Sequence, residues 1–379
     1  VFPVNSSTAE PREPGGPVGP EFRSAGRPEA IRSSATDLFR RIRPLVLLIL
    51  YCITTGVVLT LFVVRPGIEG HPRATFTDLV QGRAHKPFAF RILVPTLIRG
   101  ISAVTPDALE AAVEREYARK RIVTGMGWTP DSIYEHFVAM AVVGLCFLAT
   151  LYVWRRLTAR LFHFPHHVAD TAPVFGLLAL TLFFRYCNYV YDPATVLLFS
   201  LAVIALEGRN NAQFYVIFTL AALNKETSLL LIPLFFARER ADLATRRLLA
   251  HGGALMGLWF CVRFFVVYLF RDNPGALVEF HLADHNLRLP LILPGSTAYF
   301  AGVLISAAWL ARKNWTAKPL FLRRGLLITF IPLLVGSLLF GFVDELRGYY
   351  EAYPFVFLLS VPTMCAVLGI PETAATDGV

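Results

Sequence analysis

Apolar runs of membrane length, separated by short polar punctuation, occupy most of the chain between residues 44 and 370. A helix needs about 17–25 predominantly apolar residues to cross the hydrocarbon core. About ten apolar segments read as crossings, not all of that full length: 44–64, 133–156, 170–186, 192–207, 211–223, 226–237, 248–270, 295–311, 325–343 and 353–370. They predict an all-α polytopic membrane protein, a bundle of about ten transmembrane helices. The fifth and sixth segments are short, about 18–20 Å each at 1.5 Å per residue, and meet at Asn224-Lys225-Glu226. Ionisable groups at membrane depth are costly and point to function, so this pair is expected to be a broken or partly re-entrant span.

The stretch 65–132 between the first two spans is too long for a simple connection. Within it, 88–104 is apolar but punctuated by Arg91, Pro95 and Arg99, which predicts a helix lying in the interface. Thr105-Pro106-Asp107 then predicts an N-cap, a proline at the first helical position and an early acid, opening a polar helix to about Arg121. The expectation is a large helical first outer loop that carries Glu69, Asp78, Lys86 and Arg91. Residues 1–43 and 371–379 are expected to be cytoplasmic tails flanking a membrane domain of 44–370. The first tail is expected to be disordered, being rich in Pro, Gly, Ser, Arg and Glu without apolar periodicity, and it has no signal-peptide pattern.

Composition agrees with the spacing: 55% of residues are hydrophobic and 17% charged, far from a soluble domain. Short loops place the orientation. Arg40, Arg41 and Arg43 precede the first span, Arg155, Arg156 and Arg160 follow the second, Arg238, Arg240, Arg246 and Arg247 follow the sixth, and Arg312, Lys313, Lys318, Arg323 and Arg324 separate the eighth and ninth. The positive-inside rule makes those faces cytoplasmic, with both termini. The formal charge of +9 is then topological and suited to an anionic lipid surface, with no nucleic-acid partner. The five cysteines, Cys52, Cys146, Cys187, Cys261 and Cys365, lack paired spacing, so neither a disulfide framework nor a thiolate metal site is expected.

The orientation gathers isolated charges on the outer face: Asp192, Lys225, Glu226, Asp344, Glu345, Arg347 and Glu351. A site for a charged head group needs such a convergence, whereas a wet loop merely tolerates it. Arg263 lies inside an apolar run and should face Glu226, Asp192 or a lipid phosphate, or form a structural pair between helices. Asp192, before Pro193, could simply cap the fourth span, and Glu226 could simply neutralise Lys225. His281, Asp284 and His285 include the i, i+4 spacing of a helical metal pair, but two histidines in a loop are more often just polar, and no metal site is assigned.

Several stretches together resemble the polytopic GT-C glycosyltransferases over about 44–370: Phe76-Thr77-Asp78; His85-Lys86-Pro87-Phe88-Ala89-Phe90-Arg91-Ile92-Leu93-Val94-Pro95; Tyr191-Asp192-Pro193; Ala222-Leu223-Asn224-Lys225-Glu226-Thr227; and Asp344-Glu345-Leu346-Arg347. The chain departs from better-known branches in having no paired acidic motif directly after the first span. The resemblance implies a bacterial inner-membrane enzyme that moves a sugar from a polyprenyl-phosphate donor to a glycan, lipid or protein acceptor on the outer face, without cofactor or metal. It also implies roles: Asp78, with Glu69 second, as the base; Lys225, Arg91, Arg347, Arg263 and Lys86 at the donor phosphate; Asp192, Glu226, Asp344 and Glu345 in support. A lipid or solute transporter, or a non-catalytic subunit of a larger complex, are the other classes the sequence leaves open. A transporter built on inverted repeats would need a second broken pair, and the sequence offers none.

Overall fold

The computed structural model describes residues 28–129 and 132–372, which are helical with no strand among them. Most of the two expected tails, together with residues 130–131, lies outside that range. The chain divides into two units at Leu48/Ile49. Among the described residues the first unit is the opening part of helix α1, Pro28–Phe62. That helix starts well inside the expected tail, because after Pro28 no Gly or Pro interrupts the chain until Pro44 and a proline is well tolerated in a first helical turn. The remainder of the description concerns the second unit.

Helix α1 passes into a tight turn at Val63–Gly67. The outer loop then folds into short helices: α2 (Phe76–Val80), α3 (Leu93–Ala103), α4 (Asp107–Tyr117) and α5 (Arg121–Gly125). The helix expected after Thr105 is corrected in one detail. Pro106 is itself the N-cap, and the helix begins at Asp107, because the Thr105 hydroxyl is bonded to the Ile101 carbonyl and to Tyr134 and is not available to cap. The polar run also ends sooner than expected, at Tyr117.

The bundle that follows comprises α6 (Ile133–Leu161), α7 (His166–Leu180), α8 (Asp192–Glu207), α9 (Asn211–Asn224), α10 (Leu231–Glu239), α11 (Thr245–Leu269), α12 (Leu289–Ile292), α13 (Pro294–Arg312), α14 (Leu320–Phe340) and α15 (Tyr353–Val367). Among the described residues four stretches are long and apolar enough to cross a membrane: Arg41–Gly67, Ile133–Leu161, Thr245–Leu269 and Leu320–Phe340. A fifth is formed if Leu282–Ile292 and Pro294–Arg312, which meet at 94°, act as one span. The chain is therefore a helical, multi-pass membrane protein.

Helices α7, α8, α9 and α15 are 14–16 residues long. Protein surrounds α8 on nearly every face, with α6, α9, α10 and α15 packed against it. A helix enclosed in this way has few lipid-facing backbone groups or side chains to match to bilayer thickness. Helix α11 is its opposite: Phe260, Phe264, Phe265 and Tyr268 stay exposed along it, as expected of a lipid-facing helix. The core is fixed by large side chains, with Trp154 fully buried, donating to Ser200 Oγ at 2.9 Å and stacked on Phe357 at 4.5 Å.

Candidate functional site

The expected break is present. Helix α9 stops at Asn224, Lys225 is extended (φ −159°, ψ 143°), and a 3₁₀ turn, Glu226–Leu230, leads into α10. Asn224 holds the break in place: its amide donates to the Tyr191 carbonyl at 3.1 Å and to Thr195 Oγ1 at 2.9 Å, both at the start of α8. The outer loop docks on the same point, with the Ile92 N–H donating to the Leu223 carbonyl at 3.0 Å. Farther back the loop is tied down by Asn273, whose amide donates to the carbonyls of Gly82 and Ala84 at 2.9 Å each.

Three cations pair with four carboxylates around this break. Arg91, 8% exposed, donates to Glu226 at 3.0 Å and also to the Tyr191 hydroxyl. Lys225 lies 2.8 Å from Glu351, which in turn accepts from Thr227. Arg347 donates to Glu345 at 2.6 Å and lies 3.9 Å from Asp192. An aromatic ladder joins them: Phe88 against Tyr189 at 5.3 Å, Tyr189 against Tyr191 at 5.1 Å, with Arg91 over Tyr191 at 4.9 Å and Arg347 over Tyr189 at 4.3 Å. Burial works against the charge on Arg91 and Arg347, but the neighbours acting together outweigh it, Glu226 with Tyr191 at Arg91 and Glu345 with Tyr189 and Asp192 at Arg347, so both guanidinium pKa values are raised above their usual level.

The pairing leaves capacity unused. Arg91 Nε, Asp192 Oδ1, Glu226 Oε2 and Glu351 Oε2 are buried and have no protein hydrogen-bond partner. Such groups are expensive unless something polar meets them. Glu226, with a side chain 36% exposed, is the most open carboxylate of the cluster; Glu345 is at 18%, Asp192 at 1% and Glu351 at 0%.

Of the residues singled out from sequence, Arg91, Lys225, Glu226, Asp192, Glu345 and Arg347 are brought together. Arg263 stands at the edge of the cluster, its guanidinium 5.5 Å from the Phe90 ring and its charge acting on Glu226. Asp192 does not cap α8 in the expected way. It is the first helical residue, and its carboxylate turns back to accept from the Tyr189 N–H at 3.2 Å.

The others are engaged elsewhere. Asp78 forms a reciprocal cap with Thr75 at the start of α2: its N–H donates to Thr75 Oγ1 at 3.1 Å, its carboxylate accepts the Thr75 hydroxyl at 2.8 Å, and Arg83 is 3.5 Å away. Glu69 accepts from the Phe76 N–H at 3.1 Å and pairs with the buried His136 at 2.9 Å. Lys86 donates to the Arg271 carbonyl at 3.1 Å. Asp344 is enclosed by Tyr186, Ser296 and His285, and His281 bonds Asp284 at 3.0 Å. Among the described residues no group of three or more His, Cys, Asp or Glu has the geometry of a metal site.

Sequence reasoning missed the tyrosine pair Tyr189 and Tyr191, whose alternation just before Asp192-Pro193 was the available signal. It placed Glu351 on the outer face but gave it no role. It also passed over His71, whose ring lies 5.0 Å from Phe88 and 6.2 Å from Tyr189. No protein-family model, curated protein or solved structure matches this chain.

Proposed function

We propose that the protein is a membrane glycosyltransferase similar to the polytopic GT-C enzymes, crossing the bacterial inner membrane about ten times with both termini cytoplasmic. It transfers a sugar from a polyprenyl-phosphate donor to an acceptor on the outer face. The observation that carries this proposal is the convergence of Arg91, Lys225 and Arg347 at one helix break, beside buried polar atoms that have no protein partner.

The chemistry asks for cations where the lipid phosphate departs and a carboxylate that takes the acceptor's hydroxyl proton. Fixed cations at developing charge are commonly the largest contribution to such a step, and a positioned base adds about 10²–10⁴ in rate. Each cation here already has a carboxylate, so an entering phosphate exchanges one ion pair for another and no bare charge is buried in low dielectric. Glu226, the most open of those carboxylates, is the natural one to give way. Asp78 is the assigned base and Glu69 the second candidate, and the same resemblance assigns Lys86 and Arg263 to the donor phosphate.

One observation favours a second reading. A carboxylate partner for each of Arg91, Lys225 and Arg347 is also what a purely structural network requires, and a non-catalytic membrane subunit would need nothing more. A transporter is less well supported. The 94° bend between Leu282–Ile292 and Pro294–Arg312 lies at Leu293, where no ionisable residue stands, although Asp284, His285 and Arg288 precede it in the first segment.

The deciding experiment is binding and turnover of a panel of polyprenyl-phosphate sugars by the protein in nanodiscs. Saturable binding that is lost in Arg347→Ala and Arg91→Ala, with transfer or slow hydrolysis lost in Asp78→Asn, is the expected result. Absence of binding across the panel by the folded wild-type protein would move the assignment to the structural subunit.

A further inference from the structure

His71 stands on the same aromatic ladder as the ion pairs. Its ring is half-buried against Phe88 at 5.0 Å and shares Tyr189 with Arg347, the two lying 6.2 Å and 4.3 Å from that ring's centroid. The charged groups that face it come from three places. Arg347 and Glu345 approach from the turn before α15, Glu279 from the loop after α11, and Arg73 from its own loop, where Arg73 and Glu279 neutralise one another at 2.8 Å. The Arg73 N–H donates to His71 Nδ1 at 3.3 Å, which leaves the neutral ring's proton on Nε2. Burial, and then Arg347, push the imidazole below its usual value of 6.5, so the ring is largely neutral at physiological pH.

The transfer proposed above changes the charge beside this ring. It breaks the bond between the anomeric carbon and the phosphate oxygen and forms one to the acceptor oxygen. The acceptor hydroxyl gives up its proton, and the prenyl phosphate leaves as a monoester with one negative charge more than the diester that entered. A neutral imidazole next to Arg347 suits the diester. The additional charge of the monoester is matched if the ring gains a proton at Nδ1, exchanging its weak bond from the Arg73 N–H for a full positive charge.

We propose that His71 is a phosphate-binding residue of the outer-face site that takes up a proton when a phosphate monoester, and not a phosphate diester, lies against Arg347. The inference rests on the glycosyltransferase reading for the identity of the two ligands, and on the His71, Tyr189 and Arg347 geometry for its location. It makes His71 a residue that distinguishes product from donor, releasing the spent carrier more readily as pH rises.

The test is calorimetric titration of the full-length protein in nanodiscs, with farnesyl phosphate as the monoester and a glycosyl farnesyl phosphate as the diester. Each titration is run in two buffers of different ionisation enthalpy near pH 7.5, on wild type and on His71→Gln. The expected result is uptake of a sizeable fraction of a proton with the monoester, up to about one, little with the diester, and loss of the difference in His71→Gln. His71→Phe, which keeps a ring against Phe88 and Tyr189, is the second variant should the first be unstable. Proton uptake by wild type that is absent, or that persists in the variants because it belongs to the phosphate's own ionisation near pH 6, overturns the assignment to His71 while leaving the phosphate site in place. Failure of the folded wild-type protein to bind either ligand at any pH overturns the site itself, and the inference falls with it.

Discussion

Lys225 and Glu351 form an ion pair of 2.8 Å in which the lysine side chain is 8% exposed and the glutamate side chain 0%. Each charge makes the other tolerable. Removing one partner leaves an uncompensated charge where water cannot reach it, at a cost of about 3–5 kcal/mol, whereas replacing both by apolar groups of similar volume is often close to neutral. Lys225→Met and Glu351→Leu should each lower the unfolding temperature sharply in detergent, and the double variant should recover most of the loss. If the double variant is as unstable as the sum of the single ones, the two side chains do not act as a pair.

Arg91 uses its planar fork twice, on Glu226 and on the Tyr191 hydroxyl, while it lies over two aromatic rings. Lysine cannot reproduce that geometry. Hydrogen bonds to charged groups are worth about 1.5–3 kcal/mol. Arg91→Lys is therefore expected to weaken binding of a polyprenyl-phosphate ligand by about 10- to 150-fold. Equal affinity in wild type and Arg91→Lys, measured by equilibrium binding in nanodiscs, would remove Arg91 from the phosphate site.

Asp78 has a structural duty that must be separated from catalysis. It is half of the reciprocal cap with Thr75, and loss of a cap costs about 1 kcal/mol. Asn at 78 keeps an acceptor for the Thr75 hydroxyl but cannot take a proton. Asp78→Asn should therefore lower transfer by about 10²–10⁴ with little change in unfolding temperature, and Thr75→Ala should do the reverse. A pair of variants with matching losses of stability and activity would reduce Asp78 to its cap.

How far the sequence carried differs between the bundle and the site. Apolar runs foretold the helices because burial in lipid or protein writes itself locally, and the three ionisable or amide side chains at 224–226 marked the break for the same reason. The partners of those side chains were illegible, since Arg91 and Glu226 are 135 residues apart and periodicity carries no information on which loop lands on which. Nothing in the local sequence marks Tyr189 and Tyr191 as a pair, because it is the fold that stacks them under Arg347 and Arg91. Pro106 misled at short range, because whether Thr105 caps depends on the distant Tyr134 hydroxyl that it meets.

Asp344 should make stability depend on pH. Burial alone would raise its pKa, but hydrogen bonds from Ser296, Tyr186 and His285 outweigh burial and hold it below the usual 3.8. A carboxyl whose folded value lies under its unfolded one contributes stability that is present above the unfolded value and is lost as pH falls through the folded one. Denaturation midpoints followed from pH 6 down to pH 3 should fall more steeply in wild type than in Asp344→Asn below about pH 4. Coincident profiles would show that the enclosure does not tune this carboxyl.

Gly176 tests the packing that holds α7 on α15. A Cβ added there would stand 2.5 Å from the Phe357 ring and 3.1 Å from Trp154, and both rings are themselves buried and stacked on one another. Neither can swing away without opening the core, so Gly176→Ala should destabilise by about 1–3 kcal/mol through overpacking, although alanine is the better helix former. Phe357→Leu vacates the space that the added methyl group needs. The double variant Gly176→Ala with Phe357→Leu is therefore expected to be more stable than the sum of the two single losses, a coupling that thermal unfolding of the four proteins would measure directly. Strict additivity would mean that the α7 and α15 backbones yield at this contact, and that the close approach at Gly176 is not what sets their spacing.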